Sequence, residues 1–162
     1  MADHGVDVST VRSICGYLIH GETLPSVVAS RVDDLFADPI IEHGLTDTIL
    51  LTTESFAEVP DAVITVGFKP GVTDNPGKAA TDGFLTLFPD DRGARISTYL
   101  TYVFYGLPVD CDVNWLAGTL HNNLIERALV ADREQCRSSA WPELAFPTPP
   151  EQVFNEPQAV NM

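Results

Sequence analysis

Ala62-Val63-Ile64-Thr65-Val66-Gly67-Phe68, running straight into Lys69-Pro70-Gly71-Val72-Thr73-Asp74-Asn75-Pro76-Gly77-Lys78, is the stretch on which the fold turns. In the first seven residues Ala62, Ile64, Val66 and Phe68 share one side at a period of two, which predicts a half-buried strand. The residues that follow are dense in turn formers, and Asn75 before Pro76 fits an N-cap with proline at the first helical position. Ala80, Phe84, Leu87 and Phe88 then recur at helical spacing until Pro89-Asp90-Asp91 and Gly93 break the stripe. The reading is strand, turn, helix.

Working outward, Arg95 to Leu107 is rich in Thr, Tyr, Val and Phe, residues that suit a pleated surface, and it closes on Gly106 and Pro108. A second strand is expected there. Leu116, Leu120 and Leu124, with Val113 and Ala117, predict another amphipathic helix, and Ala128 to Ala131 a short final strand. Residues 61–133 therefore read βαβαβ.

The earlier part of the chain echoes the later half of that unit. An offset of 84 sets Val32 against Leu116, Phe36 against Leu120, Ile40 against Leu124, Ile41 against Ile125 and Glu42 against Glu126. With one residue of slippage, a strand Arg12 to Gly21 lies over Ser97 to Gly106, followed by a helix Pro25 to Ala37 and a strand around 43–52. The same offset carries 61–90 onto positions before Met1, so the first copy is expected to begin at its second strand. The expected architecture is α+β: two modules with antiparallel sheets and helices packed on one face, an incomplete βαβ module at 1–55, a complete βαβαβ module at 56–137, and a Pro-rich linker or tail at 138–162. Trp141, Leu144, Phe146 and Phe154 in that tail are each worth roughly 1.5–3 kcal/mol on full burial, which predicts that the tail docks.

Composition narrows the function. A formal charge of -14, with only nine Lys and Arg in 162 residues, excludes a nucleic-acid partner, because phosphate binding needs clustered cations. The apolar runs fall well short of the roughly 20 residues that cross a bilayer, and the N-terminus lacks the pattern of a secretory signal, so no membrane contact and a cytoplasmic location are expected. Cys15, Cys111 and Cys136 show no CxxC spacing, and His4, His20, His43 and His121 form no metal motif, so neither a disulfide framework nor a metal site is expected.

Three further patterns bear on chemistry. Gly71 to Lys78 could offer backbone donors to an anion at a helix start, but it lacks the order of a phosphate-binding loop; a capped turn or a contact surface is the simpler reading. Glu42 and Glu126 occupy equivalent helix exits, which module repetition explains without acid–base catalysis. Tyr99, Tyr102 and Tyr105 beside Phe104 suit a core or interface better than a base-stacking platform in so acidic a chain.

The segment Ile64 to Lys78 resembles the signature of phosphoribosylformylglycinamidine synthases in which a small-subunit module precedes the synthetase domain. Leu120-His121-Asn122-Asn123-Leu124-Ile125-Glu126-Arg127, with its echo Leu35 to His43, is similar to the family's helix end leading into the last strand of each small-subunit-like module. The resemblance spans most of residues 11–137. It implies an organising, non-catalytic component of an enzyme that makes formylglycinamidine ribonucleotide from formylglycinamide ribonucleotide, ATP and glutamine in purine biosynthesis. The implied partners are synthetase and glutaminase domains or subunits, with self-association as a further mode; ATP and magnesium are implied for the parent enzyme and no cofactor for this chain. No glutaminase-type nucleophilic cysteine, ATP-binding loop or set of metal-binding carboxylates stands in the sequence, so no catalytic residue is assigned. The candidate interface or structural-turn residues are Lys69, Pro70, Gly71, Thr73, Asp74, Asn75, Gly77 and Lys78. The alternative is a stand-alone ligand-binding regulatory α+β module, with a site where the paired units meet.

Overall fold

The computed structural model describes residues 8–23, 25–31, 33–38, 40 and 58–138. Glu42, the expected strand around 43–52 and nearly all of the tail lie outside the described residues. The described elements run β1 (Thr10–His20), α1 (Pro25–Ala29), α2 (Asp33–Phe36), β2 (Ala62–Phe68), α3 (Asn75–Leu87), β3 (Arg95–Tyr105), α4 (Val113–Leu120), β4 (Glu126–Ala131) and α5 (Arg133–Cys136). The four strands form one antiparallel sheet in the order β1-β3-β2-β4.

The alternation that marked β2 as half-buried understates it. Val63 and Thr65 are as deeply buried as Ala62 and Ile64, because β2 lies between β3 and β4 and both of its faces are covered. On one face Ile64 and Val66 meet Phe104, Leu107, Leu116 and Ala117, so α4 packs there. Further along the same face α3 lays Phe84 on Ile96, joined by Val28 from α1 and Leu35 and Phe36 from α2. On the opposite face Val63, Val103 and Ala131 enclose Cys136 of α5. The two longer helices thus share one face as expected, and the single turn of α5 covers part of the other. In the middle of that second face the Thr65 and Thr101 hydroxyls satisfy each other at 2.8 Å, both fully buried.

Several boundaries move. The N-cap of α3 is Asp74 rather than Asn75: its carboxylate accepts from Gly77 N, and Asn75 enters the helix. Helix α4 ends at Leu120 although the four-residue spacing continues to Leu124, which is 81% exposed in a turn. The stop is local: His121 is extended, with its Nδ1 on Ala117 O at 2.6 Å, and Asn122 Oδ1 accepts from Leu124 N. The expected helix Pro25 to Ala37 is two short pieces, in keeping with β-branched Val27 and Val28 and with Ser26 and Ser30, which weaken a helix.

Strand β1 belongs to the same sheet as the strands of 61–133, in a register from Thr10↔Tyr105 to His20↔Arg95 that sets Gly16 opposite Tyr99. A Cβ at Gly16 would lie 2.0 Å from Tyr99 Cζ, so the ring uses the space that the glycine leaves. At one end of the sheet, Asp61 accepts from Gly106 N at 2.7 Å and Leu107 N at 3.1 Å and pairs with Arg133 at 3.0 Å. At the other end, Asp91 accepts from Thr23 N at 2.8 Å. Hydrogen bonds, first from the Glu22 backbone and then from Thr23, hold the Asp91 carboxyl below its ordinary range. Among the described residues no helix is long and apolar enough to cross a membrane.

Candidate functional site

The two sequence landmarks, 69–78 and 120–127, meet at one end of the sheet. Lys69 N donates to Ile125 O at 2.9 Å, and Lys69 Nζ donates to Asn123 O. Glu126 opens β4 opposite Phe68, and its Oε2 accepts from Asn122 N at 2.7 Å. Its carboxylate closes the turn that brings α4 into β4. Gly71 adopts φ 82, a conformation that favours glycine, and lets the chain reverse from β2 toward α3.

Asp74 then fixes the start of α3. Its carboxylate accepts from Gly77 N at 2.7 Å, Thr98 N at 2.6 Å and Thr98 Oγ1 at 2.9 Å, so one side chain caps the helix and ties it to β3. A Cβ at Gly77 would lie 2.5 Å from Ile96 O, so only glycine permits this approach of helix to strand. Thr81 closes the contact, accepting from Ile96 N at 3.0 Å and donating to Gly77 O at 2.8 Å. The donor a phosphate would seek at Gly77 is taken by Asp74, and Pro76 has no N–H, so the capped-turn reading accounts for the segment without a phosphate. Of the eight candidate residues, Lys69, Gly71, Asp74 and Gly77 shape the turn. Pro70, Thr73, Asn75 and Lys78 are each exposed to solvent.

Between the start of α3 and the end of α4 the sheet is left uncovered, and a cleft of about 290 Å³ opens there. Its lining includes Val66, Leu100, Tyr102, Pro76, Leu120 and Glu126, together with Phe68, Tyr17 and Cys15. Cys15, Tyr17 and Leu100 are functional candidates the sequence reading passed over. The repeat offset held the signal, because it sets Cys15 over Leu100, and these two residues are direct partners across β1 and β3.

Burial also raises the values of several thiols and hydroxyls. Burial, followed by the nearby Asp132 carboxylate, pushes the Cys136 thiol up to about 12, which leaves it a neutral core group. Burial raises the Tyr99 hydroxyl, and burial together with Asp110 and Asp112 raises the Cys111 thiol. Among the described residues no group of three His, Cys, Asp or Glu side chains could hold a metal ion.

No family model matches the chain, and neither a curated protein nor a solved structure matches it.

Proposed function

We propose that this chain is a non-catalytic organising module of a phosphoribosylformylglycinamidine synthase, acting in the cytoplasm between synthetase and glutaminase partners, and composed of two small-subunit-like modules. The observation that carries the reading is the β1–β3 register. The two strands equated by the sequence repeat pair antiparallel about Cys15↔Leu100, residues that are themselves repeat mates, as two copies of one module would around a local two-fold axis. The meeting of the two landmarks at Lys69 supports it further, because Pro70, Thr73, Asn75 and Lys78 beside that contact are exposed and open to a partner. ATP and magnesium belong to the partner chains in this reading.

Reconstitution tests it. Adding the chain to cognate synthetase and glutaminase chains should produce a stable complex and raise glutamine-dependent formation of formylglycinamidine ribonucleotide. Replacing Thr73, Asn75 and Lys78 together by Ala, Ala and Glu should abolish both while leaving the thermal midpoint unchanged. Failure of the unmodified chain to bind or to raise activity refutes the proposal.

The cleft favours a second reading, a ligand-binding regulatory module, since a largely apolar lining that includes the Glu126 carboxylate and the Cys15 thiol suits a small molecule. A thermal-shift series with purine nucleotides and glutamine separates the two, because a ligand at 100 times its Kd stabilises by about 2.7 kcal/mol.

A further inference from the structure

We propose that the side of β1 facing away from β3 is a docking surface for a strand–helix unit of the β2–α3 kind. The inference rests on the repeat and on the β1–β3 register and is independent of the amidotransferase reading. Strand β3 is flanked on both edges, by β1 and by β2, and covered by α3. Its repeat mate β1 has one flanking strand among the described residues.

The local two-fold relation through Cys15 and Leu100 states what should stand on the other edge. Strand β2 pairs with β3 over Tyr99 to Phe104, and the mates of those residues are Ile14 to Ile19. The helix that follows β2 covers Ile96 and Thr98: Ile96 is 6% exposed beneath Phe84, and Thr98 donates twice to Asp74. The mates of Ile96 and Thr98 are Val11 and Ser13. Val11 is 44% exposed, and Ser13 is exposed as well. Ile96 lies beneath a helix, whereas its mate Val11 is left exposed.

The strand is also suited to pairing. An eleven-residue edge without proline, and with Arg12 as its one Asp, Glu, Lys or Arg, lacks the devices by which sheet edges discourage strand addition. The partner chemistry follows: an apolar strand antiparallel to β1 over 14–19, then a tight turn, then a helix whose capping carboxylate accepts from Ser13 and whose first turns bury Val11.

The test uses the whole chain and a synthetic peptide of residues 61–90 of this same sequence as the probe. Expected are saturable binding by fluorescence anisotropy and slowing of amide exchange, at least about tenfold, within Ile14 to Ile19. Val11→Asp should weaken binding by about tenfold or more while leaving the thermal midpoint of the free chain unchanged. A fusion that places a second copy of 61–90 ahead of Met1 makes the contact intramolecular, so it should show the same protection if the peptide alone binds weakly. The proposal is overturned if neither peptide nor fusion slows exchange in β1, or if binding leaves β1 unchanged. It is equally overturned if the β1 amides are already protected in the free chain, or become so with rising concentration of the chain alone, which would assign the edge to a second copy.

Discussion

Replacing Asp74 by Ala should destabilise the fold by about 2–3 kcal/mol. Loss of the helix cap accounts for about 1 kcal/mol. The rest arises at Thr98, where a half-buried backbone N–H loses its acceptor at 2.6 Å, and an unsatisfied group of this kind costs about 1–3 kcal/mol, here toward the lower end because water can reach it in part. At about 2–4 °C per kcal/mol, the thermal midpoint should fall by about 4–12 °C. Urea unfolding followed by circular dichroism gives the free energy directly, and Asp74→Asn, which keeps an acceptor oxygen and loses the charge, should cost less than Asp74→Ala. A double-mutant cycle with Thr98→Val should return a coupling of about 1 kcal/mol, since Thr98 Oγ1 donates to the same carboxylate at 2.9 Å. A coupling near zero, or an Asp74→Ala variant within about 0.5 kcal/mol of the parent, would refute the idea that this one side chain joins α3 to β3.

Three other expectations follow from the packing. Thr101→Val should cost about 1–3 kcal/mol by stranding the buried Thr65 hydroxyl, whereas changing both threonines to Val should recover most of it, as urea midpoints of the three variants will show. Gly77→Ala must push α3 away from Ile96 O and should cost about 1–3 kcal/mol, measured in the same assay. For Cys136, the raised folded-state value means that the unfolded chain loses its proton first, so stability should decline from about pH 9 towards about pH 12. Cys136→Ala should flatten that part of the pH profile of the thermal midpoint, and at neutral pH iodoacetamide should label exposed Cys15 in the native state while sparing Cys136.

The strand–turn–helix of 62–87 was legible because the side chains that specify it act locally: alternating apolar residues, a run of turn formers, a polar residue ahead of a proline, although the cap is Asp74 and not the expected Asn75. Even there the sequence underestimated β2, since the burial of Val63 and Thr65 depends on β4 and α5, which lie more than 50 residues downstream. Leu124 kept the helical spacing and still fell outside α4, because the Asn122 side chain and the Glu126 carboxylate made a turn that outcompeted another helical turn. The candidate site was half visible. Lys69 to Lys78 were found as a motif, whereas the cleft beside them draws Cys15 and Leu100 from distant strands. Only the repeat register, taken as a statement about pairing rather than about likeness, brings those two together.

The contact of Tyr99 with Gly16 also bears on how this protein can change over evolutionary time. A ring that fills the place of a missing side chain ties the choices at two positions 83 residues apart. Relatives that carry a larger residue at position 16 should carry a smaller one at position 99, and lineages should cross between the two solutions through paired replacements. Such a correlated pair would mark the junction of β1 with β3 in an alignment of bare sequences.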